Sequence, residues 1–209
     1  MSKKRPKNNG ILFCGKAAEE VTGSQIYIQF GESKLLIECG LYQSQSNDYL
    51  DAYKINTEKF KFKPSELDYV FIAHAHIDHI GMLPRLIKEG FRGDIIATPK
   101  TALIMRPLLL NSCAILSEES RILSRRFKRE YMPPYGEEDV YKALDMIQTY
   151  GEYETVFRLN QNVSFQWIPN GHCIGAAQLQ LILKDGNCTK KDPLYIRFRF
   201  TEAKESLCR

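Results

Sequence analysis

All four histidines of this 209-residue chain fall in two short segments, and this constrains the fold more than any other feature. The first segment places four metal-ligand side chains within six positions: His74, His76, Asp78 and His79. The second segment contains His172. Imidazole nitrogens are common ligands of zinc and similar ions, and a carboxylate can complete such a site. Because no histidine is left over for other duties, the pattern predicts one metal centre built from both segments.

The spacing within the first segment predicts two groups of donor atoms. His74 and His76 are two positions apart on a predicted extended segment, so their side chains leave the same face. Asp78 and His79 follow at the predicted turn into a helix and approach from another direction. Two metal positions a few ångströms apart can polarise a phosphoryl or acyl oxygen and activate water.

Apolar patterning predicts a layered α/β fold with strands at both ends and helices between them. The predicted strands are residues 11–14, 25–30, 34–39, 68–73, 94–97, 163–169 and 178–184, with a further strand beginning at 193–196. The predicted helices are residues 81–89, 101–129 and 137–148. Pro107 should lie near a boundary or a kink. Gly171 and Gly175 should let the backbone approach closely beside His172.

Domain organisation and composition are simple. We expect a basic disordered arm at residues 1–9, one domain at 10–196 and a divergent tail at 197–209.

The hydrophobic fraction of 44% and charged fraction of 26% are those of ordinary globular proteins, and a net charge of +4 permits a polyanionic partner. The six cysteines form no CxxC pair, and neither a signal peptide nor a membrane span is evident. These features predict a cytoplasmic protein with reduced thiols and no membrane contact.

Four segments together resemble a known family: VTGS at 21–24, IECG at 37–40, HAHIDHIG at 74–81 and GHCIGA at 171–176. The segment PYGEEDV at 134–140 adds to the likeness. Residues 10 to about 196 resemble the N-terminal half of a metallo-β-lactamase-fold hydrolase, specifically of the β-CASP branch of RNA-processing nucleases. The resemblance implies an αββα sandwich, incomplete here, with a helical stretch between the metal motifs.

The resemblance also implies the activity and the role of each site residue. A zinc-dependent hydrolase of RNA phosphodiesters is expected. In the family pattern, one zinc is held by three histidines, which correspond here to His74, His76 and His172. Asp78 and His79 would hold the second zinc, and Asp78 would also orient the attacking water. Glu38 stands beside these ligands, where the family more often has aspartate.

The C-terminal part departs from the family pattern. The family's next strand ends in a Gly-Asp pair whose aspartate bridges both metals, whereas residues 197–202 read RFRFTE and no aspartate follows Asp192. The β-CASP domain, with its later histidine, is missing too. We therefore expect a truncated or frameshifted reading frame, about one bound zinc and very poor RNA hydrolysis. An unpaired sheet edge near 194–200 should favour self-association as a homo-oligomer. The alternative is a genuine short variant.

Two other functions stay open. The first is a hydrolase of a small ester, thioester or lactam, which the long helical stretch at 101–148 disfavours. The second is a non-catalytic metal-binding remnant or partner subunit, which the missing bridging aspartate favours. A basic stretch on the long predicted helix indicates a solvated face more than an RNA contact, and comprises Arg121, Arg125, Arg126, Lys128 and Arg129.

Overall fold

Two β-sheets carry the fold. The computed structural model describes residues 9–15, 22–44, 49–184 and 194–198. The first sheet has six strands in chain order: β1 (Gly10–Cys14), β2 (Gln25–Phe30), β3 (Ser33–Ile37), β4 (Tyr69–Ile72), β5 (Asp94–Ala97) and β6 (Ile147–Thr149). Strands β1 to β3 are antiparallel, whereas β3 to β6 are parallel. The second sheet is antiparallel, in the order β10 (Leu194–Phe198), β9 (Ala177–Leu183), β8 (Val163–Pro169) and β7 (Phe157–Arg158).

Helices cover one face of the first sheet. They are α1 (Tyr49–Thr57), α2 (Ile77–Ile80), α3 (Leu83–Lys88), α4 (Pro99–Phe127) and α5 (Glu137–Asp145), with a 3₁₀ turn at Pro64–Glu66. One apolar core joins these helices to the sheet through residues such as Val70, Leu83, Met105 and Val140. Burial of these side chains, worth roughly 1.5–3 kcal/mol each, holds the helical layer in place.

A second core lies between the two sheets. Buried and half-buried residues alternate along β8 and β9, which is the period of a strand with one face in a core. Phe165 and Trp167 are fully buried there, and the Phe165 ring packs against Phe71 of the first sheet. The described residues therefore form three layers: helices, a six-stranded sheet and a four-stranded sheet. This agrees with the predicted incomplete metallo-β-lactamase αββα sandwich.

Most predicted strands are present within one or two residues, but several predictions were wrong. The helix predicted at 81–89 is present as α3, whereas α1, α2 and β7 were not predicted. The helix predicted at 137–148 ends at Asp145, because residues 147–149 pair with β5 instead. The strand predicted at 34–39 ends at Ile37, because Glu38 has a positive φ. Predictions for residues 1–8, Val21, Pro193 and the tail from 199 lie outside the described residues.

Pro107 lies inside α4 and marks no boundary of that helix. A proline within a helix loses one backbone hydrogen bond and costs about 3 kcal/mol. Pro107 is exposed, so water can reach the carbonyl that loses its donor. Its neighbours Met105 and Leu109 are fully buried in the core. The burial of these two side chains offsets the cost of proline in the helix, so α4 continues through Pro107.

Helix α2 is fixed by backbone hydrogen bonds to the residue before β2 and to the chain that follows β3. The Cys39 amide donates to the His79 carbonyl at 2.7 Å, and the Ser24 amide donates to the Asp78 carbonyl at 2.9 Å. Gly40 lies at the closest approach, because a Cβ added to it would be 1.6 Å from the Asp78 carbonyl oxygen. A residue without a side chain is therefore required at position 40.

We expect Gly40→Ala to destabilise the fold by at least about 1–3 kcal/mol, the usual cost of an overpacked site. The added methyl must push α2 away, and α2 carries Asp78 and His79, two of the predicted metal donors, so their positions should change as well. Gly171→Ala is the matched control, since a Cβ there meets no atom within 4 Å. Urea unfolding of the two variants and the wild type measures the difference. Equal stability of the two variants would contradict the packing described here.

Among the described residues, no helix combines the length and the apolarity needed to cross a bilayer.

Candidate metal centre

The predicted site residues come together where strands of both sheets end. Glu38 follows β3 and His74 follows β4, so both lie at the carboxyl edge of the parallel strands, where ligands of α/β sheets usually bind. His172 lies in the loop between β8 and β9 of the second sheet. The Ala177 amide donates to the Ala73 carbonyl at 2.9 Å and joins the two sheets at this point.

The four histidines form one cluster around His74. Its ring centroid lies 4.8 Å from that of His76, 4.0 Å from that of His79 and 4.8 Å from that of His172. His74 is buried, His76 is exposed and His172 is half-buried. The cluster is therefore closed on one side by the core and open on the other, as a site that admits a substrate requires.

The first group of donors is His74, His76 and His172, whose ligand atoms lie within 4.8 Å of one another. The Nε2 atom of His172 is 3.3 Å from the Nδ1 atom of His76. Two nitrogens bound to one tetrahedral zinc at 2.0–2.1 Å would be about 3.3–3.4 Å apart. The same distance also suits a hydrogen bond between the two rings. That bond can keep both imidazoles in their positions when no ion is bound.

The second pair of donors is Asp78 and His79. The His79 Nε2 atom lies 3.4 Å from Asp78 Oδ2, which again matches the edge of a tetrahedral zinc site, about 3.3–3.4 Å. Both residues belong to α2, a single helical turn that follows the extended His76, as predicted for the turn into the next helix.

Glu38 contacts His79 from the opposite side. Its side chain is 0% exposed, and Oε1 accepts a hydrogen bond from the Ala73 amide at 2.9 Å. The other oxygen, Oε2, lies 3.6 Å from His79 Nδ1 and accepts no hydrogen bond from the residues that the structure describes. Glu38 also has a φ of 61°, a left-handed conformation that costs energy in a residue with a side chain and often marks functional sites.

The pKa values of two of the histidines are shifted in opposite directions. Burial, followed by the repulsion of the other three histidines, lowers the pKa of His74 to about 3. Burial would also lower the pKa of His79, but the carboxylates of Asp78 and Glu38 outweigh it and raise that pKa to about 9. His74 is therefore neutral at pH 7, which is the form that can bind a metal.

The loop that carries His172 is fixed by two threonines that sequence reasoning missed. The Thr98 and Thr101 hydroxyls donate to the Gly175 carbonyl at 2.7 and 2.9 Å. Gly175 has a φ of 84°, and a Cβ added there would be 2.6 Å from the Thr101 amide nitrogen. The close approach predicted at Gly175 is thus present, whereas the one predicted at Gly171 is wrong. The Thr98-Pro99 pair at the start of α4 was the available signal, because threonine caps helices and proline begins them.

Cysteines are not among the clustered donors. Cys39 is fully buried, Cys173 is half-buried, and neither belongs to a group of ligand atoms in the described part of the chain. Burial raises the pKa of the Cys39 thiol well above its usual range, so its thiolate is disfavoured.

The basic stretch at the end of α4 is exposed to solvent, as the sequence predicted for a solvated helix face. Arg121 Nε donates to Glu118 Oε2 at 2.7 Å, one turn earlier on the same helix. The Arg129 guanidinium lies 4.6 Å from the centre of the Tyr131 ring. Arg121 and Arg129 are thus both in contact with neighbouring side chains. These contacts do not indicate that the stretch binds RNA.

The donor set suits a divalent cation. The ligand atoms of His74, His76 and His172 form one cluster, those of Glu38, His74 and His79 form a second, and Asp78 adjoins His79. Nitrogen and oxygen donors of this kind are those used by zinc. Within the described residues, Glu38 is the one acid in the clusters of three ligand atoms, so no further carboxylate joins the two donor groups there.

Comparison with known proteins finds sequences that resemble this chain. Residues 18–112 match the sequence model of the family described as "Metallo-beta-lactamase superfamily". "Ribonuclease TTHA0252" from Thermus thermophilus is 34% identical over 163 residues, which are 77% of this chain and 32% of that protein. "Transcription termination factor FttA" from Cenarchaeum symbiosum is 29% identical, over 75% of this chain and 22% of that protein.

A plant relative extends the likeness further along the chain. "Cleavage and polyadenylation specificity factor subunit 3-I" from Arabidopsis thaliana is 26% identical over 194 residues, which are 87% of this chain and 25% of that protein. The chain thus spans a third or less of the length of these relatives. The resemblance predicted from the motifs is confirmed: the chain has a metallo-β-lactamase fold and is similar to the N-terminal part of the β-CASP RNA-processing nucleases.

Proposed function

We propose that this chain is the metal-binding part of a zinc-dependent hydrolase that cleaves RNA phosphodiesters. The observation that carries the proposal is the pair of donor contacts at 3.3 and 3.4 Å, both of which suit a shared zinc ion. Relatives named as a ribonuclease and a cleavage factor support RNA as the substrate class. A net charge of +4 is compatible with a polyanionic partner.

Each site residue has a role in this proposal. One zinc ion is held by three imidazoles, those of His74, His76 and His172. Asp78 and His79 hold the second position, and Asp78 also orients the attacking water. Bound zinc supplies positive charge to a phosphoryl oxygen and lowers the pKa of water. The protein side chains supply the orientation that makes this charge useful.

Glu38 acts as a positioning residue. Its Oε2 atom faces His79 Nδ1, so it holds the ring with Nε2 turned towards Asp78. Carboxylates behind metal-binding histidines commonly have this function and raise the basicity of the ring. The hydrogen bond from the Ala73 amide keeps the Glu38 side chain in place. The longer side chain of glutamate, compared with the family's usual aspartate, thus still reaches a site histidine.

Zinc content and RNA cleavage measured on the same sample test the proposal. We expect about one zinc per chain and very poor RNA hydrolysis, because two protein ligands rarely hold a catalytic zinc without a bridging carboxylate. Native mass spectrometry gives the zinc count, and a labelled RNA gives the cleavage rate. Two tightly held zinc ions with rapid turnover would contradict the one-zinc expectation and require another bridging acid.

A panel of ester, thioester and lactam substrates separates the rival functions. Their cleavage without any action on RNA would favour a small-molecule hydrolase. Zinc binding with neither RNA binding nor hydrolysis of any substrate would favour a non-catalytic metal-binding subunit. The long α4 helix between the metal motifs and the names of the relatives both favour RNA.

We also propose self-association through β10. Among the described residues this strand pairs with β9 alone, and its Leu194 and Tyr195 side chains are exposed. Open strand edges with apolar side chains promote pairing between chains. A cytoplasmic location stays a prediction, compatible with the free cysteines of the described residues, Cys14, Cys39, Cys113 and Cys173.

A further inference from the structure

An apolar groove of about 460 Å³ lies beside the metal centre, between α4 and the loop that follows β8. Ile104 and Leu108 of α4 form one wall, and Cys173 and Ile174 of the loop form the other. His76 also lines this groove, so one residue belongs to both the groove and the metal cluster. A molecule with one part at the metal centre can therefore place an adjoining part in the groove.

The groove is held in a fixed shape. The Thr98 and Thr101 hydroxyls bind the Gly175 carbonyl and tie the loop to the first turn of α4. Ile174 lies next to this anchored position, yet its side chain is 73% exposed. An isoleucine held in solvent on an anchored loop, beside a cluster of metal ligands, is the type of surface that contacts a ligand.

The chemistry of the walls determines what can bind there. Isoleucine and leucine offer no hydrogen bonds, so a phosphate or a sugar hydroxyl would lose water without compensation. The flat face of a nucleobase is apolar enough to pack against such walls. Contact with a base face is tolerant of sequence, because every base has one.

We propose that this groove receives the base of the nucleotide next to the phosphate bound at the metal centre. The inference rests on the proposed action on RNA and adds a base-binding subsite without sequence preference. Ile174 is its exposed wall, and His76 joins it to the metal centre.

The test measures RNA binding by the zinc-loaded chain, with a fluorescent oligonucleotide and a set of copies that each lack one base. We expect Ile174→Ala to weaken binding of intact RNA about fivefold or more. One abasic position should weaken binding by the wild-type chain to a similar extent. That same abasic position should cause no further loss in Ile174→Ala, because the side chain and the base contact each other. The loss should be similar for A, C, G or U at that position.

Leu103→Ala is the matched control. Leu103 is 77% exposed on the same helix but lines a different groove, next to Tyr141. RNA affinity and zinc content should match the wild type in this variant, and zinc content should also be unchanged in Ile174→Ala. If Ile174→Ala binds intact RNA as tightly as the wild type, or if both variants lose affinity equally, the subsite is refuted while the proposed function stands. A wild-type chain that binds no RNA would overturn both.

Discussion

His76→Ala is expected to lower zinc affinity by more than about 100-fold. Loss of a residue that only hydrogen-bonds a metal ligand usually lowers affinity by about 10- to 100-fold, and loss of a ligand itself should have a larger effect. The first donor group has three histidines, and removal of one leaves two protein ligands, too few for tight binding. His76 is exposed, so its loss should change the stability of the zinc-free protein by less than about 0.5 kcal/mol. Elemental analysis after dialysis against a weak chelator measures the zinc, and urea unfolding measures the stability.

Lys100→Ala is the control for this experiment. Lys100 is exposed and its Cβ lies close to Gly175, but it provides no atom to the donor groups. Zinc content in this variant should equal that of the wild type. Unchanged zinc in His76→Ala would remove the histidine cluster as the metal site. A large loss of stability in the zinc-free form would instead assign His76 a structural role.

Asp78→Ala should abolish RNA cleavage, by at least about 1,000-fold, in a chain extended with the C-terminal part of a longer relative. The carboxylate lies next to His79 Nε2 and, in the proposed function, holds both the second zinc and the attacking water. Most of the folding stability should remain, because the cores are made by the strands and helices around α2. RNA cleavage and thermal unfolding are measured on the same preparations.

Asp145→Ala supplies the comparison, since it removes an exposed carboxylate at the end of α5, away from the donor groups. Cleavage and stability should both stay at wild-type values in this control. Cleavage that survives Asp78→Ala would refute the role proposed for Asp78. Unfolding of the Asp78 variant at room temperature would mean that the residue is needed for the fold itself.

Short-range patterns in the sequence determined the candidate metal-binding side chains and most of the secondary structure. The spacing of His74, His76 and His79 is a property of adjacent residues, and so is the alternation along β8 and β9 that buries Phe165 and Trp167. Such signals depend on strand geometry and on ligand chemistry, which act over a few residues. The clustering of the candidate metal donors, the strands that carry them and the long helix could therefore be predicted from the sequence alone.

Contacts between distant residues decided the rest. The Glu38 oxygen facing His79 depends on the end of β3 meeting α2, and the anchoring of Gly175 depends on α4 meeting the loop after β8. Residues 147–149 form a strand because β5 offers an open edge, although the local pattern predicted a helix that continued to residue 148. These outcomes follow from packing and hydrogen bonds between segments far apart in sequence, which often override local propensity. The sequence thus determined which side chains can bind a metal, whereas the tertiary structure decided how they are held and what surface lies beside them.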